Sequence, residues 1–483
     1  MTTILRLLKN TIYLSVSDII KPFISFILII YISRTLGTMG LGEYTAITTF
    51  TFFFEIFAML GLHHLIVRDI AIDNSNCETY FTASFVIGFA SSLIALSALF
   101  LVLKAMSFPA NISLGTKVLS FSILFVVLAD YWDAILEGLQ RMELKSFVST
   151  MDVVIRVVLG ISAIYLGFGM PGLIWTLVAG RVLICLLSLF ILLKLGIKLK
   201  LKLNIPVCLS LLKQTTTFLF ISIVTTAYWR IDILMLSKMK GAIDTGYYSA
   251  AYRFMEVLKG LSYGYIAALF PIIASAFATS KDSFKRKCVL SVKYLFILTF
   301  PIAIGTTILS KNIILLAYGT EFLNSIKVLQ ILIWTICFFP IALVFARPLV
   351  ASKNQRFDLL CNVLALVFNV SLNLLLIPRF GYIGSAMATL ISICFFMFIQ
   401  FIFFIKILFR IELLNILIKP FLAACAMGIF TLLLRNTNLF FVVALSAGLY
   451  IFILIKIKTF SMEEIAMFKE LWRQKALLLT IRS

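Results

Sequence analysis

Apolar residues arrive along this chain in blocks of about twenty or more, set apart by short polar stretches. That is the length an α-helix needs to cross a hydrocarbon layer about 30 Å thick, so each block reads as a membrane-spanning helix. The pattern predicts fourteen, near residues 11–33, 44–67, 81–106, 117–138, 150–168, 171–194, 214–237, 246–275, 294–310, 326–350, 357–377, 381–405, 413–434 and 438–457. The first follows a basic start (Arg6, Lys9) like that of a signal peptide. It is too long for one and no small-residue cleavage site follows it, so it is expected to stay.

Composition agrees: 62% of the residues are hydrophobic, 13% are charged and the mean hydropathy is +1.10. No water-soluble domain has a core large enough for that balance, so the expected fold is an all-α integral membrane protein. The net charge of +21 is first a topology signal. With the N-terminus in the cytoplasm, the loops and tail on that side hold about 26 Lys and Arg against about 9 opposite. Both termini are therefore expected in the cytoplasm, with the chain in an inner membrane. The cations are scattered over short loops and form no basic domain, which argues for anionic lipid headgroups as partners and against nucleic acid. The eight cysteines have no C-x-x-C spacing, and neither disulfides nor structural zinc is expected. His63 and His64, the only histidines, point about 100° apart on a helix, so packing is a better reading for them than a shared metal.

The chain contains itself twice. Ser33-Arg34-Thr35-Leu36-Gly37 through Gly42-Glu43-Tyr44-Thr45-Ala46 returns about 204 residues later as Ser237-Lys238-Met239-Lys240-Gly241 through Gly246-Tyr247-Tyr248-Ser249-Ala250. Phe168-Gly169-Met170-Pro171-Gly172 returns as Phe380-Gly381-Tyr382-Ile383-Gly384, each time between the fifth and sixth segment of a half. Residues 1–200 and 201–410 are thus expected to form two six-helix lobes related by an axis along the membrane normal. Residues 411–458 add two helices outside the repeat, and 459–483 form an amphipathic tail on the cytoplasmic headgroups. Transporters with such repeats hold substrate between the halves and rock one half against the other.

The string Tyr31-Ile32-Ser33-Arg34-Thr35-Leu36-Gly37, followed by Gly40-Leu41-Gly42-Glu43-Tyr44, resembles the first-loop signature of polysaccharide flippases. These are the Wzx-type O-antigen and capsule transporters of the multidrug/oligosaccharidyl-lipid/polysaccharide exporter superfamily. The resemblance implies movement of an undecaprenyl-diphosphate-linked oligosaccharide from the cytoplasmic to the periplasmic leaflet, alongside other polysaccharide assembly proteins. It also implies kinship with lipid II flippases and multidrug exporters.

A charge at mid-bilayer costs about 2.5–3.5 kcal/mol, so ionisable residues deep in a span are expected to face a wet cavity or a partner. Asp18, Lys21, Glu55, Asp130, Asp133, Arg181, Arg230, Asp232, Arg253, Glu256 and Lys259 are such residues, and they predict a cavity lined by segments one, two, four, six, seven and eight. A diphosphate needs several cations, and Arg offers paired donors that fit phosphate oxygens. Arg230, Arg253 and Lys259 are the first candidates for binding it, then Arg181 and Lys21. Arg253, Glu256 and Lys259, three apart, are read as one face of a helix. The competing reading is that these cations only neutralise neighbouring acids. Asp18, Glu55, Asp130 and Asp133 are candidates for proton or sodium coupling. Asp152 and Arg156, four apart, read as a structural pair. Pro22 beside Lys21 lets the first helix bend, which suits a lateral gate for a lipid.

An enzyme of polysaccharide assembly, such as a polymerase, would need a carboxylate and cation cluster in a sizeable water-facing loop, and the loops here are short. There is no G-x-x-x-x-G-K-[ST] loop, H-E-x-x-H or G-x-S-x-G, and no cofactor is expected. An exporter of cationic drugs would favour acids over cations in its cavity. The excess of Arg and Lys leans towards an anionic substrate.

Overall fold

The computed structural model describes residues 3–198, 204–410, 413–461 and 464, with most side chains from residue 20 onward. Among them there is no strand. Fifteen helices run in order: α1 (Thr3–Met59), α2 (Leu62–Ile72), α3 (Cys77–Met106), α4 (Ala110–Ser120), α5 (Ile123–Gly138), α6 (Met142–Tyr165), α7 (Gly169–Lys194), α8 (Ile205–Lys240), α9 (Ala242–Thr279), α10 (Lys281–Tyr318), α11 (Ser325–Leu332), α12 (Thr335–Ala351), α13 (Gln355–Ile407), α14 (Leu413–Leu434) and α15 (Leu439–Lys456). The predicted segments fall largely on helix, but those at 44–67, 117–138 and 326–350 are each interrupted by a turn, at 60–61, 121–122 and 333–334. Among the described residues ten helices are long and apolar enough to cross a membrane, eleven if α4 and α5, bent by 44° at their junction, count as one.

Two of those helices are too long for one crossing. A straight rod of the 57 residues of α1 would be about 85 Å long, nearly three hydrocarbon thicknesses. It folds instead at Gly37, where φ is 68° and ψ −166°, a backbone shape that only glycine adopts without strain. The new helix start is capped from across the fold, because the Thr38 amide and hydroxyl both donate to Glu321 Oε1, at 2.6 and 2.9 Å. Gly381 breaks α13 in the same manner, at φ 54°. The segment expected at 44–67 also differs: the chain turns left-handed at Leu60 and Gly61, and the Tyr131 hydroxyl donates to the freed carbonyls of Ala58 and Met59, at 3.2 and 2.8 Å.

The internal repeat is visible in the backbone. Gly241, counterpart of Gly37, has φ 85° and ψ −171°, and Gly169 and Gly381 have φ 57° and 54°. The two copies of the first turn also pack against each other. A Cβ on Gly42 would lie 1.8 Å from the Ala242 carbonyl oxygen, and one on Gly246 would lie 2.0 Å from that of Thr38. Since Thr38 corresponds to Ala242 and Gly42 to Gly246, the contact is reciprocal, as an interface across a two-fold axis must be. The seam continues beneath it between α1 and α9, where the Phe26, Phe254 and Tyr318 rings meet edge-on with centroids 5.0 to 6.2 Å apart. Helices α14 and α15 stand outside the repeat, against α10.

Candidate functional site

Below this seam lies a cavity of about 220 Å³ into which four arginines project: Arg156 from α6, Arg181 from α7, Arg230 from α8 and Arg253 from α9. The rest of its polar wall is hydroxyl, from Ser25, Tyr44, Thr48 and Thr49 on the two arms of α1. A second cavity of about 310 Å³ shares Ser25, Ile29 and Arg253 with the first and continues between α1 and α9, past Lys21 and Pro22. Four guanidinium groups and an ammonium therefore line two adjoining cavities along the seam.

Each cavity arginine is paired with an acid. Arg181 binds Glu55, and its Nη1 also donates to Ser122 Oγ at 2.8 Å. Arg156 binds Asp152, one turn earlier on α6. Glu256 is shared: Oε1 lies 2.7 Å from Arg230 Nη2 and Oε2 lies 2.7 Å from Arg253 Nη1. Among the described residues, four arginines face three carboxylates around the cavity, an excess of one positive charge. Such pairs hold the cations in place and leave most of their N–H donors for another anion.

Of the five cations nominated from sequence, Arg181, Arg230, Arg253 and Lys21 thus meet. Lys259 does not join them. Its ammonium sits 3.4 Å from the centroid of the Trp229 ring and within 6 Å of the Tyr252 and Phe339 rings, and it is 6% exposed. The reason is helical pitch. Three residues advance about 300°, so Glu256 stays within reach of Arg253, but six leave Lys259 about 120° away around α9.

The nominated acids separate as well. Glu55 is buried against Arg181. Asp130 and Asp133 do not line the arginine cavity: Asp130 meets His63 Nδ1 at 3.0 Å, and Asp133 accepts from the Ser188 hydroxyl at 3.2 Å. The side chain of Asp18 lies outside the described residues. His63, read as a packing residue, bridges Asp130 and Glu137, the latter at 3.1 Å and also paired with Lys145. No cluster of three or more His, Cys, Asp or Glu with metal-binding geometry occurs among the described residues.

The expected lining needs one exchange, since α6 takes the place given to the fourth segment. Arg156 was hidden by its own spacing, because an acid four residues away made it look fully committed. Asp232 has a different setting: it accepts from the Tyr248 hydroxyl, from Thr389 Oγ1 at 3.2 Å and from the Ile233 amide at 2.8 Å. No spacing signal joins α8 to the second arm of α13, so this group was not legible.

An all-helical, two-halved membrane protein with a polar cavity on its seam has the architecture of the transporters that expel lipids and drugs. The solved structures agree. The fold is shared with the lipid II flippase MurJ in an inward closed conformation (TM-score 0.74, 16% identity, 92% of this chain and 98% of that one). It is also shared with an inward-facing multidrug resistance MATE family transporter of the MOP superfamily (TM-score 0.67, 15% identity, 81% and 97%). The chain belongs to the family described as Polysaccharide biosynthesis protein, which matches residues 7–277; the MatE family matches residues 218–375. A protein of Shigella flexneri named as an O-antigen transporter is 22% identical over 80% of this chain and 94% of its own length. One of Haloferax volcanii named as the flippase AglR is 22% identical over 78% and 79%.

Proposed function

We propose that this protein is a flippase that carries an oligosaccharide linked to a polyprenyl diphosphate, of the undecaprenyl type, across a bacterial inner membrane for O-antigen or other surface polysaccharide assembly. The observation that carries the reading is the convergence of Arg156, Arg181, Arg230 and Arg253 on one cavity at the seam of two pseudo-symmetric halves. Guanidinium forks match phosphate oxygens, hydroxyls suit a sugar, and the continuation between α1 and α9 at Pro22 leaves the lipid chain a way to remain in the bilayer. Lobes 1–200 and 201–410 rock about the seam while 411–458 ride on the second, in fourteen crossings with both termini cytoplasmic. The Gly37 and Gly241 turns then face the periplasm, and their mutual contact closes that side.

The coupling role for a proton or sodium ion falls to Asp133 and Asp232, which are held by hydroxyls rather than by guanidinium groups. Transport that keeps its cation dependence in both Asp133→Asn and Asp232→Asn removes them from it.

Deletion of the protein tests the function. Surface polysaccharide is expected to disappear while lipid-linked repeat units accumulate in the inner leaflet. Normal polysaccharide with hypersensitivity to cationic drugs would instead favour an exporter.

A further inference from the structure

The pairs around the cavity are not alike. Glu55 is 3% exposed at its side chain and, with Arg181 and Ser122, knits α1, α7 and the start of α5 into a fixed strut. Asp152 and Arg156 lie on one helix, a turn apart. Glu256 is the exception: its side chain is 23% exposed, and its two oxygens take one guanidinium from α8 and one from α9, themselves 24% and 21% exposed. One carboxylate thus lies at the point on which two arginine forks converge, in contact with the cavity.

We propose that Glu256 is an internal counter-anion, which holds Arg230 and Arg253 together in the empty transporter and is displaced from them by the diphosphate of the substrate; this rests on the function proposed above. Two bare guanidinium groups at mid-membrane depth repel each other and would each be desolvated without a partner. A carboxylate with both oxygens engaged removes that cost. A diphosphate offers the same pair of oxygens with more charge and can occupy both forks, but only by competing with Glu256. The competition makes the site selective. A ligand with a single weak anionic group gains too little to displace a chelating carboxylate, whereas a diphosphate does. It also supplies release, since the returning carboxylate neutralises the arginines as the diphosphate leaves. The same pair therefore answers both readings that the sequence left open for Arg253: it neutralises an acid when empty and binds substrate when full.

The test is binding of inorganic diphosphate to the purified full-length protein in lipid nanodiscs, for wild type, Glu256→Gln, Glu256→Asp, Arg253→Gln and Glu55→Gln. Removing the competitor should tighten binding about tenfold in Glu256→Gln. Glu256→Asp keeps the charge but is too short to span both forks, so it should tighten binding by less, and it serves if the glutamine variant does not fold. Arg253→Gln should lose binding, and Glu55→Gln should not tighten it, because Glu55 is a strut. Binding unchanged or weakened in both Glu256 variants, with loss in Arg253→Gln, would make Glu256 a structural partner and overturn the counter-anion role while the diphosphate site stands. Absence of diphosphate binding in wild type and in both Glu256 variants would overturn the site and the inference together.

Discussion

Replacing Gly42 or Gly246 by alanine perturbs the contact that closes one side of the seam. The new methyl would stand 1.8 Å from the Ala242 carbonyl oxygen or 2.0 Å from that of Thr38. In both cases the opposing atom is backbone, so it cannot swing aside. The two turns must part by about an ångström before even the closest tolerable approach, 3.0 Å, is reached. Overpacking of this kind costs about 1–3 kcal/mol, and here the cost falls on the closed arrangement alone, because open turns do not touch. The closed-to-open ratio should then drop by about 5- to 150-fold. A reporter lies one turn below: Thr45 and its repeat counterpart Ser249 are each 1% exposed, and their hydroxyls have no hydrogen-bond partner among the described residues. A cysteine placed at Ser249 is therefore shielded when the turns are closed and wetted when they part. With an impermeant maleimide on intact cells, the labelling rate at this position should rise at least about fivefold in Gly42→Ala over the parent, at equal membrane abundance. Equal rates would refute the claim that this glycine contact holds the seam shut.

Four further outcomes follow from the geometry. Arg230→Ala and Arg253→Ala should each lower transport while the protein still inserts, and Arg→Lys should keep part of it, because charge survives without the fork; a complementation assay for surface polysaccharide reads this. Trp229→Leu should destabilise the protein by up to about 2 kcal/mol through loss of the face on which Lys259 rests, seen as a lower midpoint in thermal unfolding in detergent; an unchanged midpoint would deny that contact any weight. A cysteine at Asp244 should react with an impermeant reagent in intact cells and one at Asn204 should not, and the reverse would invert the topology. Burial pushes the Glu464 carboxyl up, but Lys293, the Ser461 amide and the Tyr294 hydroxyl hold it below the usual carboxylate range. A depressed carboxyl stabilises above its unfolded value and loses that contribution as pH falls through the folded one, so the segment after α15 should become protease-sensitive below about pH 4, and at neutral pH in Glu464→Gln.

The fold was legible to the extent that it is local. Apolar block length is enough to place a helix in lipid, and the repeat survived because its glycines meet steric demands that other residues cannot, at Gly37 and Gly241 by φ and at Gly42 and Gly246 by proximity. The break at Leu60 and Gly61 was not legible, since its carbonyls are satisfied by Tyr131, seventy residues on. For the site, depth in a span singled out the ionisable residues, but it could not say which would meet. Arg181 and Arg230 come together because two halves fold onto one seam. Lys259 leaves the group because a step of six residues turns it towards Trp229. Arg156, read as one half of a helical ion pair, is that and also a wall of the cavity.

The central claim is that the arginines on the seam hold the diphosphate of a lipid-linked oligosaccharide during its passage between leaflets. The most direct measurement is leaflet translocation of a polyprenyl-diphosphate oligosaccharide in liposomes containing the purified protein, with wild type compared to an Arg230→Gln/Arg253→Gln double variant of equal incorporation. The account predicts protein-dependent translocation that is lost in the double variant and partly kept when both residues are lysine. Translocation at the wild-type rate without the two guanidinium groups would contradict it.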